Sequence, residues 1–155
     1  MGIPIIVPFV SEAAFSWAGI GGLASLASYQ AARLDNSSTK YGSALVSVKI
    51  TTGSSAPTAG LCYRVHLLRQ PGTLKDDNFG TSAGSITIIN APVLGEIQVT
   101  NSANTAFQRI FDTAPLGPLG PYWTIALSNQ TDQALHSTDA NTIAYVHYNY
   151  PELNT

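Results

Sequence analysis

Two runs with a period of two dominate the chain. In the first, Val46, Val48 and Ile50 alternate with Ser47, Lys49 and Thr51. In the second, Leu61, Tyr63, Val65 and Leu67 alternate with Cys62, Arg64, His66 and Leu68. Alternation puts each apolar set on one face of a sheet. Both runs favour β-branched or aromatic residues, and neither has Pro or Gly in its interior. The pattern predicts neighbouring central strands, each with one buried face, joined by the turn-rich stretch 53–60.

Shorter runs flank this pair. Leu23, Leu26, Ala27 and Gln30 have helical spacing, but Gly19, Gly21 and Gly22 oppose an earlier helix start. Two short strands near 22–27 and 29–34 are predicted, with a short helix as the alternative. Strands are also expected over 85–90 (Ile86, Ile88), 96–100 (Ile97, Val99), 106–112, 122–129 and 142–150. In 106–112, Phe107, Arg109 and Phe111 point one way and Ile110 the other, so apolar surface is expected on both sides. In 122–129, Trp123, Ile125 and Leu127 form the inward set. Residues 75–84 read as a solvated polar excursion around Phe79. Pro115, Pro118 and Pro121 stiffen a loop that presents Leu116 and Leu119. That loop covers one end of the fold or touches a neighbouring subunit.

About eight to ten short strands separated by Gly, Pro and Asn turns predict an all-β, single-domain antiparallel sandwich or barrel. A jelly roll of about eight strands fits this spacing, with an immunoglobulin-like sandwich as the alternative.

Charge narrows the choice of partners. Only 10% of residues are charged, against roughly 25% in an average domain. No Lys or Arg follows Arg109. A nucleic-acid binder needs a basic footprint, and none exists here. Scarce charge also lowers the cost of protein contact, because few ions must be desolvated. The start of the chain is apolar, through Ile3, Ile5, Ile6, Val7 and Phe9, but Pro4 and Pro8 break the run and no basic region precedes it. It therefore does not read as a signal peptide. Residues 13–32 are uncharged yet rich in Gly, Ala and Ser, so no transmembrane span is expected. Residues 1–21 read as an apolar N-terminal arm, folded on its own core or docked on a neighbour, and 22–155 as the domain.

Candidate chemistry is sparse. Cys62 is the only cysteine, so no intrachain disulfide is available. His136, Ser137 and Asp139 are close in sequence, but they share one turn-rich segment where Ser and Asp serve the backbone. His66 and His147 are isolated and form no zinc spacing. Asp76, Asp77 and Asn78 lack the ligand spacing of a calcium loop. Glycosidase carboxylates would have to come from Asp76, Asp77, Glu96, Asp112, Asp132 and Asp139. Tyr122, Trp123, Tyr145 and Tyr148 are the candidates for a carbohydrate-stacking face, although alternation turns Trp123 inward. No catalytic, cofactor or metal residue is expected, and a small hydrolase ranks last.

The segment Gly22-Leu-Ala-Ser-Leu-Ala-Ser-Tyr-Gln-Ala-Ala-Arg-Leu-Asp-Asn-Ser-Ser-Thr-Lys-Tyr, followed by Ala44-Leu-Val-Ser-Val-Lys-Ile, resembles small virion proteins of tailed bacteriophages. Tyr122-Trp-Thr-Ile-Ala-Leu-Ser-Asn-Gln-Thr-Asp-Gln-Ala-Leu is similar to their penultimate strand and turn. The resemblance implies a jelly-roll capsid decoration, or cement, protein on the outer surface of the virion. Its partners would be the major capsid protein and its own copies in a homotrimer, with no nucleic acid or membrane involved. It implies no enzyme activity and no cofactor. On this expectation Ile3, Ile5, Ile6, Val7, Phe9, Leu116 and Leu119 are interface residues. A carbohydrate-binding module of a tail or fibre is the alternative.

Overall fold

The computed structural model describes residues 10–148. Ten strands form among them: β1 Val10–Ala14, β2 Ser28–Gln30, β3 Leu34–Asp35, β4 Ala44–Thr51, β5 Cys62–Gln70, β6 Gly84–Ser85, β7 Val93–Gln98, β8 Ala106–Asp112, β9 Tyr122–Asn129 and β10 Ile143–Tyr148. Helix is confined to three short 3-10 turns. The strands make a single-domain, all-β sandwich of two antiparallel sheets. One has four strands, in the order β1-β10-β4-β8. The other has six, β6-β2-β9-β5-β7, with β3 also paired to β9.

The two alternating runs are both strands, but they are not neighbours. β4 lies in the four-stranded sheet and β5 in the six-stranded one. The linker between them crosses the sandwich, so their apolar sets face each other. Val46, Val48 and Ile50 from β4 meet Tyr63, Val65 and Leu67 from β5 in one core. Trp123, Ile125 and Leu127 of β9 join them, all fully buried. Trp123 takes Phe15 edge-on, with ring centroids 5.4 Å apart, and Tyr148 at 5.9 Å.

The domain starts earlier than expected. β1 pairs with β10, and Phe15, Trp17 and Ile20 are buried in the core. Residues 10–20 therefore belong to the sandwich and not to an arm. Ile3, Ile5, Ile6, Val7 and Phe9 lie outside the described residues. The glycine-rich stretch 18–27 forms turns instead of a strand. Gly19, at φ +89°, sits where a Cβ would come within 2.6 Å of the Tyr29 hydroxyl. Leu26 also takes a left-handed conformation, at φ 61°. Pairing begins only at Ser28.

The stretch 73–92 departs furthest from expectation. The strand expected over 85–90 is limited to β6, two residues long. Residues 86–92 run as a strap from the β2 edge of the larger sheet, over its outer face, to β7. Asp77 holds the strap. Its carboxylate accepts the backbone N–H groups of Ile89, Asn90 and Ala91 at 2.8–3.1 Å. Phe79 is 1% exposed and not solvated. It packs with Leu68, Ala91 and Ala126, against half-buried Ile86 and Ile88, in a second apolar cluster. Both faces of β9 and β5 are thus covered, which explains why Ala126, Leu68 and His66 are buried on faces that alternation assigns to solvent.

Candidate functional site

The residues that could carry chemistry are distributed over the fold as structural clamps. Asp139 turns away from His136 and accepts the N–H groups of Gly19 and Gly21 at 2.7 and 2.6 Å. His136 Nδ1 accepts the Thr138 N–H at 3.1 Å and meets Asn141 Nδ2 at 2.9 Å. His136, Ser137 and Asp139 therefore close turns and form no relay. The other candidate carboxylates are engaged in the same way. Asp132 binds the N–H and hydroxyl of Thr58, and Asp112 binds the N–H of Ala114. Asp76 binds the N–H of Arg69, and Glu96 pairs with Arg64 at 2.8 Å.

The remaining groups follow the same logic. Burial pushes the Cys62 thiol up, away from the thiolate that a nucleophile needs. Burial lowers His66 from its ordinary value of 6.5, outweighing the contact of Nδ1 with the Ala91 carbonyl at 3.3 Å, so its ring is neutral beneath the strap. At Asp77 burial raises the carboxyl, but the strap N–H groups outweigh it and hold the group below its usual value. Among the described residues no cluster of three His, Cys, Asp or Glu side chains is placed to hold a metal ion. No described helix is long and apolar enough to cross a membrane.

The four aromatic candidates do not share a face. Trp123 is in the core. Tyr148 is buried beside it and stacks on Tyr41 at 4.4 Å, and burial pushes its phenol up to about 12. Tyr122 lies under the Arg33 guanidinium at 4.1 Å. Only Tyr145 stands out from the outer face of the smaller sheet.

No described strand or strap covers that outer face. The register aligns Ala14, Tyr145, Ser47 and Ile110 in one row across the four strands. Ile143, Lys49 and Gln108 form the next row. Ile110 is 66% exposed and Tyr145 37%. Among the described residues Ile110 thus meets no apolar cover, against the expectation of apolar surface on both sides of β8. The members of these rows other than Ala14, with Val48 and Arg109, line a shallow cleft of about 520 Å³. A second groove, of about 590 Å³, lies beside the strap on the larger sheet, where Leu26 and Ile89 are 77% and 75% exposed. Its floor carries Ser28, Ser128, Arg64 and His66.

The proline-rich loop behaves differently from the expected interface. Leu119 is fully buried in the core, and Leu116 is half-buried against it. The Arg69 guanidinium fixes the loop from below, donating to the Leu116 carbonyl at 2.6 Å. The prolines stiffen a lid over the sandwich end, so Leu119 is not presented to a neighbour. Sequence reasoning missed the bare face as a site. Its signal was Ile110, an apolar residue on the solvent side of an otherwise polar set. Compared with known proteins, the chain matches no family model, no curated protein and no solved structure.

Proposed function

We propose that the protein is a non-enzymatic structural component of a phage particle, a decoration protein that adheres to the outside of the head shell. The observation that carries this reading is the bare four-stranded face, with Tyr145 and Ile110 exposed and Ile143 half-buried beside them in an ion-poor setting. An uncovered apolar patch on an otherwise polar surface marks a contact site. Contact here desolvates few charges, with Lys49 the only cation in its two central rows. The engagement of the candidate carboxylates in backbone clamps, and of Glu96 in a surface ion pair with Arg64, supports a scaffold rather than a catalyst.

The strand order supports a jelly roll within the sandwich. β1, β10, β4 and β8 face β2, β9, β5 and β7. The chain changes sheet at each step along this set, except from β5 to β7. Such alternation between sheets supports the double-sheet, Greek-key arrangement of the kind found in capsid and lectin domains. On this reading, the apolar residues of the segment 1–9 supply a second contact to the shell.

Co-sedimentation with phage head shells stripped of minor proteins tests the proposal. Saturable binding is expected, lost in Tyr145→Ser/Ile110→Ser and weakened when residues 1–9 are deleted. Absence of shell binding, together with glycan-array binding that Tyr145→Ala abolishes, would replace this reading with a carbohydrate-binding module.

A further inference from the structure

Among the described residues the two main ladders end in four edge strands, β1, β8, β6 and β7, and three of them are blunted. β6 is only two residues long. β7 follows Pro92, contains Gly95, and breaks register opposite Val65 and His66. Its Glu96 carbonyl is taken by Arg109 Nη1 at 2.7 Å. β1 breaks register between Val10 and Glu12. Such irregularities keep natural edges from pairing with other chains.

β8 carries Arg109 and Asp112 but lacks the shortness, Gly, Pro and register breaks that blunt the other edges. It pairs without a break from Leu45↔Asp112 to Thr51↔Ala106. It contains no Pro, Gly or Lys. The ladder parity is set at both ends, where Thr113 N–H reaches the Ala44 carbonyl and Thr52 N–H reaches the Thr105 carbonyl, each at 3.0 Å. Antiparallel pairing alternates. Phe107, Arg109 and Phe111 therefore bond inward to β4, and Ala106, Gln108, Ile110 and Asp112 direct their backbone groups outward. No other described strand pairs with that edge. The side chains of these four residues are exposed on the outer face.

We propose that β8 pairs with β8 of a second copy about a two-fold axis, joining two four-stranded sheets into one. The strand's own sequence selects the occupant and the register. Antiparallel self-pairing must keep outer-face residues opposite outer-face residues. Centring on Arg109 would set two guanidinium groups against each other, an unfavourable like-charge pair. Centring on Ile110 sets Ile110 opposite its own copy and Gln108 opposite Asp112 of the second copy. The amide then donates to the carboxylate, and Arg109 falls beside the second copy's Phe111 ring. Each outward pair exchanges both of its hydrogen bonds. The contact is isologous and closes on itself. Edge pairing buries less than the roughly 800 Å² per partner of a standard interface, so the dimer is concentration-dependent. This inference goes beyond the shell-binding reading and stands independently of it.

Sedimentation equilibrium on the full chain tests the pairing, with circular dichroism to verify folding. The wild type should show a monomer–dimer equilibrium. Ile110→Lys keeps every backbone donor but opposes two ammonium groups at the axis, and should weaken the dimer by about tenfold or more. Ile110→Asp should do the same. Mixing the two variants should restore a heterodimer that neither forms alone. Ile110→Pro, which deletes one outward donor and no bond to β4, should also be folded and monomeric. A wild type that stays monomeric at high concentration, or that forms trimers, overturns the proposal. So does a mixture that associates no better than its components.

Discussion

The two outer faces of the sandwich have opposite fates. On the larger sheet, the chain folds back over its own strands. The strap of residues 86–92 crosses the face, Asp77 ties it down, and Phe79, Leu68, Ala91 and Ala126 close beneath it. On the smaller sheet nothing among the described residues returns, and Ile110 and Tyr145 stand in the open. The difference teaches where an alternating pattern can be trusted. It holds for β4, whose alternate residues are buried and half-buried or exposed up to Ile50. It fails for β9, buried on both faces from Trp123 to Asn129. A face covered by a distant segment carries no local signal of its cover.

The largest effect should come from the core shared by both sheets. Trp123→Ala should cost about 3–5 kcal/mol in denaturant unfolding, through lost burial and a cavity between Phe15 and Tyr148. A loss below about 1 kcal/mol would place the indole near solvent and break the account of the core. Next in size is the covered face. Phe79→Ala should cost about 3 kcal/mol, the low end for a buried aromatic, because its cluster is a satellite that can partly collapse. Ile110→Ser, an apolar loss on the bare face, should shift monomer stability by no more than about 0.5 kcal/mol. Equal costs at positions 79 and 110 would erase the distinction between the faces.

Most strands were legible in the sequence, and the partition between sheets was not. β8 and β9 have the bounds that alternation predicted, because turn residues close on both ends. The pairing of β4 with β5 was misread because adjacent strands in sequence often pair, whereas here the linker crosses between layers. The strap was misread because Ile86 and Ile88 alternate as a strand would. The backbone N–H groups that follow them, of Ile89, Asn90 and Ala91, find Asp77 instead, and that contact spans a loop with no periodic signature. The clamps at Asp139, Asp132 and Asp77 were visible only as turn-favouring residues. The bare face was legible in principle, since Ile110 violates the polar side of its strand.

Acid should act on the covered face first. His66 is lowered by burial, and Asp77 is lowered by its strap N–H groups acting against burial. Both bind protons more readily in the unfolded chain, so stability rises with pH across both windows. The His66 contribution falls away as pH drops below about 6.5, and the Asp77 contribution as it drops below about 4. Amide NMR shifts of Ile89, Asn90 and Ala91 should move through the lower transition, while those of β4 stay fixed. Simultaneous movement of β4 would mean that the strap is not an independently released unit.

The smallest effect should come from the exposed Arg64–Glu96 pair. Glu96→Gln should change stability by less than about 1 kcal/mol, and less again at high salt. A larger loss, read by thermal unfolding at two salt concentrations, would show that the β7 edge depends on this pair more than on its ladder with β5.

Hydroxyl-radical footprinting of the dilute, monomeric full chain tests the asymmetry of the two faces most directly. Ile110 and Tyr145 should be oxidised readily, with Phe79 and Leu68 protected in the same sample. Oxidation of Phe79 at the rate of Ile110, or protection of Ile110 in a verified monomer, would contradict the account.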